Sequence, residues 1–250
     1  WLRGQHLFSK ESILVPRSYV ALDRTHPDSE FGLFQVTSNG LASGNTREEA
    51  IGHALCELIE RHEQFVFYQR SSAARQKRLI DLNSITDSLL VYLLQKFKSA
   101  GVEVLLWEIG ETIGLSTYEC TIVEDGRRSI FAFSGSGCHI SKEVAVARAL
   151  TEAAQSRLTV IAGSRDDTAA EYSKQTEMHK LGATTPNGSL DFAQVGDRLT
   201  SKKPLLDLEL IYSRLNNAGF SVVIAVDHTR SDIKVPVVHA VVPGLQHALG

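Results

Sequence analysis

Two stretches of the chain carry residue types suited to chemistry. In the first, Ser38-Asn39-Gly40-Leu41-Ala42-Ser43-Gly44-Asn45 reads as a turn-rich loop, followed by a long helix from about 46 to 69. Small residues let a backbone approach a ligand closely, and the free amides of a helix N-terminus favour an anion. At roughly 100° per residue, Glu49, Glu57 and Glu60 fall within about 80° of one another. Arg61 lies at their flank, while Ile51, Ala54, Leu55 and Leu58 lie opposite. Clustered carboxylates suit Mg2+, which takes oxygen ligands and bridges phosphates. A neighbouring Arg suits phosphate oxygens. A solvated acidic face opposite an apolar one gives the same pattern, and Glu49 also completes a Thr46-x-x-Glu49 capping box. Spacing alone leaves both readings open. The loop is no P-loop, lacking the Gly-Lys-Ser/Thr ending, and no Gly-x-Gly-x-x-Gly follows a strand.

In the second stretch, Ser134-Gly135-Ser136-Gly137-Cys138-His139 reads as a loop feeding a helix from 141 to 161. Arg148, Glu152 and Gln155 share one face of that helix. Arg157 falls on the side of Val146, Leu150, Ala153, Ala154 and Ile161, where it needs a partner, a ligand or a route to the surface along its stem. Cys138 and His139 are adjacent, which disfavours them as a nucleophile and base, since such partners meet in the fold rather than in sequence. Cys56 reads as a buried thiol. The nine histidines show no zinc-enzyme spacing.

The elements that position these residues follow from periodicity and punctuation. Strands are expected at 13–15, 19–22, 32–37, 102–109, 220–226 and 235–242. A hairpin of 117–124 with 129–133 turns at Asp125-Gly126. Helices are expected at 84–99, capped by Ser84, and at 205–217, each ended by Ala-Gly. The order helix, strand, strand thus occurs twice. Residues 164–204 are polar and read as a weak helix and a loop, with Arg165-Asp166-Asp167 as a capped turn or a polar wall. The expected class is α+β or α/β, with helices packed on mixed or antiparallel sheets. At about 100–200 residues per domain, 250 residues make one large domain or two small ones.

Composition narrows the function. The chain is 43% hydrophobic and 22% charged with a net charge of -3, which argues against nucleic-acid binding. No run reaches the roughly 18 apolar residues of a membrane span. Three scattered cysteines exclude a disulfide framework and fit a cytoplasmic location.

The segments 38–50 and 53–61 (His-Ala-Leu-Cys-Glu-Leu-Ile-Glu-Arg), with 148–167 and 235–245, together resemble the YcaO domain family, most closely its TfuA-associated branch. The resemblance implies a YcaO-like fold, with ATP and Mg2+ as cofactors. It also implies activation of a backbone amide of a ribosomally made peptide or protein by O-phosphorylation, giving thioamidation or azoline-forming cyclodehydration. Glu57, Glu60 and Glu152 match positions expected to hold the metal. Ser43, Asn45, Glu49, Arg61, Gln155 and Arg157 match positions expected to bind nucleotide; no general base is named. A peptide or protein substrate, a TfuA-like partner and a homodimer are the implied associations. The family's earlier Gly-Lys-Gly loop and first Glu-x-x-Glu helix are absent, so the expectation is one YcaO-like domain over 1–250, truncated either at its N-terminus alone or at both termini. His239 stands where the family commonly has Arg, which would weaken a polar contact. The rival expectation is a non-catalytic YcaO-like module that binds a peptide or partner, or an accessory factor for protein modification.

Overall fold

Glycine spacing decides how the helix after the Gly/Ser run is placed. In the computed structural model, which describes residues 1–22, 34, 37–124, 132–163, 188–196 and 204–247, that run is strand rather than loop. The fourteen named elements are β1 (Leu2–His6), β2 (Ser12–Val15), α1 (Arg17–Val20), β3 (Leu41–Ser43), α2 (Arg47–Tyr68), α3 (Ser72–Gln76), α4 (Ser88–Ser99), β4 (Val102–Glu108), β5 (Thr117–Glu124), β6 (Ala132–Cys138), α5 (Lys142–Ile161), α6 (Pro204–Asn217), β7 (Ile224–Asp227) and β8 (Val237–Val241). The chain divides into two compact units, one of residues 1–62 with 201–250 and one of 63–200.

The first unit is built on a five-stranded antiparallel sheet in the order β2-β1-β7-β8-β3. Helix α2 buries Ala50, Ile51, Ala54, Leu55, Cys56 and Ile59, the face its periodicity marks as apolar. Residues 41–43, expected as loop, form the short edge strand β3, with Leu41 opposite His239 and Ser43 opposite Val237. Gly40 precedes it at φ +84°, a conformation that glycine takes without penalty. A Cβ there would sit 2.6 Å from Ala240 O. Residues 19 and 20, expected to begin the strand 19–22, instead end a single helical turn, Arg17–Val20, that follows Pro16. The strand expected at 220–226 is confined to 224–227.

The second unit holds a three-stranded antiparallel sheet, β4-β5-β6. Alternation sends Tyr118, Cys120 and Ile122 of β5 into a core shared with Leu90 of α4 and Ala145, Ala149 and Ala153 of α5. Strand β6 takes in Ser134-Gly135-Ser136-Gly137, which corrects the loop reading. A Cβ on Gly135 would lie 2.1 Å from Ala153 N, and one on Gly137 2.1 Å from Ala145 O. The glycines therefore let α5 lie directly against the strand, alanine face down. The predicted hairpin partners do pair, Val123 with Ala132; its turn at 125–126 lies outside the described residues, as do 32–33, 35–36 and 165–167. Helix α4 starts four residues after the predicted Ser84 cap, because the Asp87 carboxylate accepts the amides of Leu89 and Leu90. Helix α5 starts as predicted, capped by Ser141. The helix–strand–strand order recurs as α4-β4-β5 and α6-β7-β8. No helix of the described residues is long and apolar enough to cross a membrane.

Candidate active site

The capping signal at the start of α2 works one residue out of register. Glu49 N–H donates to Thr46 Oγ1 at 3.1 Å, as a capping box requires. The Glu49 carboxylate reaches past Thr46 to Asn45, accepting from its backbone N–H at 2.9 Å and from its side-chain amide at 3.0 and 3.3 Å. These bonds hold the carboxyl below its ordinary range, with the nearby His53 adding a smaller push in the same direction. Ser43 is exposed at the end of β3, and its carbonyl lies 3.2 Å from His53 Nδ1. Ser43, Asn45, Glu49 and His53 thus meet around the first two turns of the helix.

Two turns further along, Glu57 accepts the Gly40 amide at 3.1 Å. Glu60 is buried, with Arg61 Nη1 3.7 Å from its carboxylate. Glu57 and Glu60 stand at i and i+3, neighbours on one helix face. Among the described residues, no three His, Cys, Asp or Glu side chains gather closely enough to hold a metal ion. Two neighbouring carboxylates still suit Mg2+ on a nucleotide, because that ion is commonly held by one or two carboxylates, with phosphates and water completing the shell.

In the second unit, α5 runs along the outer edge of β6. Arg148 Nη1 reaches Cys138 O at 3.5 Å, Glu152 accepts the Ser136 amide at 3.0 Å, and Ser156 Oγ donates to Ser134 O at 2.9 Å. One side chain per helical turn meets every second residue of the strand. The ladder satisfies an edge that would otherwise be open to pairing. Gln155 is exposed. Arg157 lines a cavity of about 300 Å3 with Leu93, Phe97, Ile122, Leu150 and Ala154, among others, as its place on the apolar side requires. All three cysteines are buried and free; Cys120 is fully enclosed, and burial drives its thiol upward.

Several polar residues that matter escaped the sequence reading. Glu63 is fully buried and accepts the amides of Thr112 at 3.2 Å and Ile113 at 2.7 Å; burial pushes its carboxyl up against the pull of those bonds. Glu119 receives Gln64 Nε2 at 2.9 Å and the Tyr68 hydroxyl at 2.7 Å. His239, already singled out above, has Nδ1 3.2 Å from Val20 O and Nε2 3.0 Å from Asn39 O. The available signal was a charged residue within an apolar strand, as for Glu119 between Tyr118 and Cys120.

The YcaO family model, described as an ATP- and Mg2+-binding cyclodehydratase, matches residues 1–246. The chain belongs to the YcaO family. An uncharacterized protein of Methanothermobacter thermautotrophicus is 35% identical over 98% of the chain and 65% of its own length. An uncharacterized protein in the tfuA 3' region of Rhizobium leguminosarum is 31% identical over 98% of the chain and 60% of its own length. The chain therefore spans somewhat under two thirds of these relatives. Among solved structures, a heterocyclase in complex with substrate and cofactor superposes with a TM-score of 0.82 at 23% identity, over 99% of this chain and 33% of that one. YcaO from Methanopyrus kandleri bound with AMPPCP and Mg2+ superposes at 0.78 with 24% identity, over 98% of this chain and 64% of that one. These likenesses establish the YcaO fold, α+β with antiparallel sheets.

Proposed function

We propose that the protein containing this chain is an ATP- and Mg2+-dependent enzyme that activates a backbone amide of a peptide or protein by O-phosphorylation. The observation that carries this reading is the pairing of Glu57 and Glu60 on α2, beside Arg61 and under the Gly40 turn, in a chain of the YcaO family. Glu57 and Glu60 would hold Mg2+, and Arg61 a phosphate oxygen. Ser43, Asn45 and Glu49 shape the adjoining loop. Glu152, Gln155 and Arg157 are proposed as further ligands, Glu152 for metal and the other two for nucleotide.

Chemically, a nucleophile adds to the amide carbon and loses its proton, and the tetrahedral oxyanion takes the γ-phosphoryl group of ATP as ADP leaves. The C–O bond then breaks with release of phosphate as a double bond forms at the same carbon, a departure that an unphosphorylated amide oxygen does not make readily. When bound, Mg2+ supplies charge neutralisation on the phosphates. The relative in the tfuA 3' region supports a TfuA-like partner, and a thioamide or an azoline is the product proposed. The second reading is a peptide- or partner-binding module without turnover.

The test is titration of ATP with Mg2+ into the full-length protein and its E57Q and E60Q variants, followed by mass spectrometry of a treated peptide. Binding by wild type, lost in both variants, is the expected result. Loss of water from the peptide would mean an azoline; exchange of oxygen for sulfur would mean a thioamide. Unchanged affinity in both variants overturns the ligand assignment, and absence of nucleotide binding by the wild type supports the binding module.

A further inference from the structure

His239 lies in the middle of β8, 1% exposed, and both ring nitrogens face backbone carbonyls. Nδ1 is 3.2 Å from Val20 O, at the end of α1, and Nε2 is 3.0 Å from Asn39 O. A neutral imidazole donates through one nitrogen, an imidazolium through both. Neither carbonyl belongs to a strand, so the nitrogen that carries the proton ties the ring to chain outside the sheet and not to its own ladder.

Asn39 is the residue before Gly40, and the next bonds continue in one direction. Ala240 N–H donates to Gly40 O at 2.7 Å. Gly40 N–H donates to Glu57 Oε2 at 3.1 Å. Gly40 is also wedged sterically, since a Cβ on it would meet Ala240 O at 2.6 Å and the Leu58 methyls at 3.2 Å. The peptide between Asn39 and Gly40 is thereby fixed from behind by His239 and Ala240, and its far side presents one amide to Glu57. Tilting that peptide would redirect the amide and take this bond from the carboxylate.

We propose that His239 is a positioning residue for Glu57, acting through its hold on the Asn39 carbonyl and the orientation this gives the Gly40 amide. A buried ring bonded to a carbonyl resists rotation, because turning it leaves both donor and acceptor unsatisfied away from water. The consequence for ligand binding rests on the reading of Glu57 as a metal–nucleotide ligand; the consequence for the Gly40 amide does not.

The experiment uses 15N-labelled protein of the whole chain, comparing wild type with H239L, H239M, H239Q and E57Q. In any folded variant without a ring donor (H239L or H239M), the Gly40 amide proton moves upfield, in the direction E57Q moves it. H239Q, which restores an N–H donor, brings it back toward wild type. In the wild type itself, the His239 ring shows a slowly exchanging Nε2 proton directed at Asn39 O. A Gly40 resonance unmoved in a folded H239L or H239M, or an Nε2 without a proton, overturns the proposal. Mg2+-dependent ATP affinity of the full-length protein should fall about fivefold to tenfold in H239L, the worth of one buried hydrogen bond. If wild type binds no nucleotide, the functional reading fails while the Gly40 shift still decides the positioning role.

Discussion

Replacing Gly135 by alanine tests the packing of α5 on β6 directly. The added Cβ would stand 2.1 Å from Ala153 N and 2.6 Å from both Ala149 O and Glu152 C. Carbon against these atoms needs about 3.5 Å. All three neighbours are helix backbone, so no rotamer change relieves the clash and the helix must lift by about 1 Å or more. That lift stretches the ladder bonds at Glu152–Ser136 and Ser156–Ser134, now 3.0 and 2.9 Å. Overpacking costs about 1–3 kcal/mol, and two weakened bonds, one to a carboxylate, add about 1–3 kcal/mol. The sum, about 2–6 kcal/mol, is a large part of the 5–15 kcal/mol that holds a typical domain. Urea denaturation followed by far-ultraviolet circular dichroism measures it as a lower midpoint at unchanged slope. Gly101→Ala is the control for backbone strain alone, since Gly101 has φ +67° with nothing within 4 Å of its Cβ position; it should cost only about 1–2 kcal/mol. If G135A unfolds within about 0.5 kcal/mol of wild type, α5 does not rest on the glycines as described.

Other substitutions probe the same physics from other sides. Gly52→Ala, in the interior of α2 with its nearest neighbour 3.7 Å away at Leu208 Cδ2, should raise stability by about 0.5–1 kcal/mol, seen as a higher thermal midpoint; a lower midpoint would mean the α2–α6 contact is tighter than the structure has it. Glu49→Ala removes the acceptor for Asn45 and should lower the urea midpoint slightly, as loss of a solvent-exposed capping contact does, measured by the same urea titration. Burial holds His62, His228 and His239 below their ordinary 6.5. Between the folded values and 6.5 the unfolded chain binds more protons, so stability is full above pH 6.5 and declines as pH falls below it. Urea midpoints at pH 7.5 and 5.5 should show that loss, and equal midpoints would count against it.

The two long helices were legible because their signals are local. Thr46 and Ser141 cap them, and apolar residues recur at helical spacing beneath. The Gly/Ser run at 134–137 misled because glycine was taken as a turn residue. Its actual use is absence of bulk beneath a helix some fifteen residues further along the chain, and that relation depends on tertiary packing. Leu41–Ser43 has the same origin, a strand only because β8 lies beside it. At the site, spacing placed Glu49, Glu57 and Glu60 on one face but not their hydrogen-bond partners. Those partners, Asn45 and Gly40, come from the bend of the preceding loop.

The carboxylates of α2 therefore divide by what already holds them, and Glu63 is the sharpest case. It sits one turn beyond Glu60, and a helical wheel puts it about 60° from Glu60 and about 40° from buried Ile59. Its two oxygens accept Thr112 and Ile113 in separate bonds, and it has no exposure at all. A carboxylate so placed organises the 109–113 turn after β4 rather than a ligand. Glu63→Ala leaves two amides unsatisfied and a cavity, each costing on the order of 1–3 kcal/mol. Glu63→Gln keeps the volume and one acceptor oxygen, and its amide N–H2 has to face an N–H donor, so it should fall between alanine and wild type. Urea titration orders the three. If Glu63→Ala instead removed Mg2+-dependent nucleotide affinity while leaving the urea midpoint unchanged, the boundary between structural and ligand-holding carboxylates would lie one turn further along α2 than the hydrogen bonds place it.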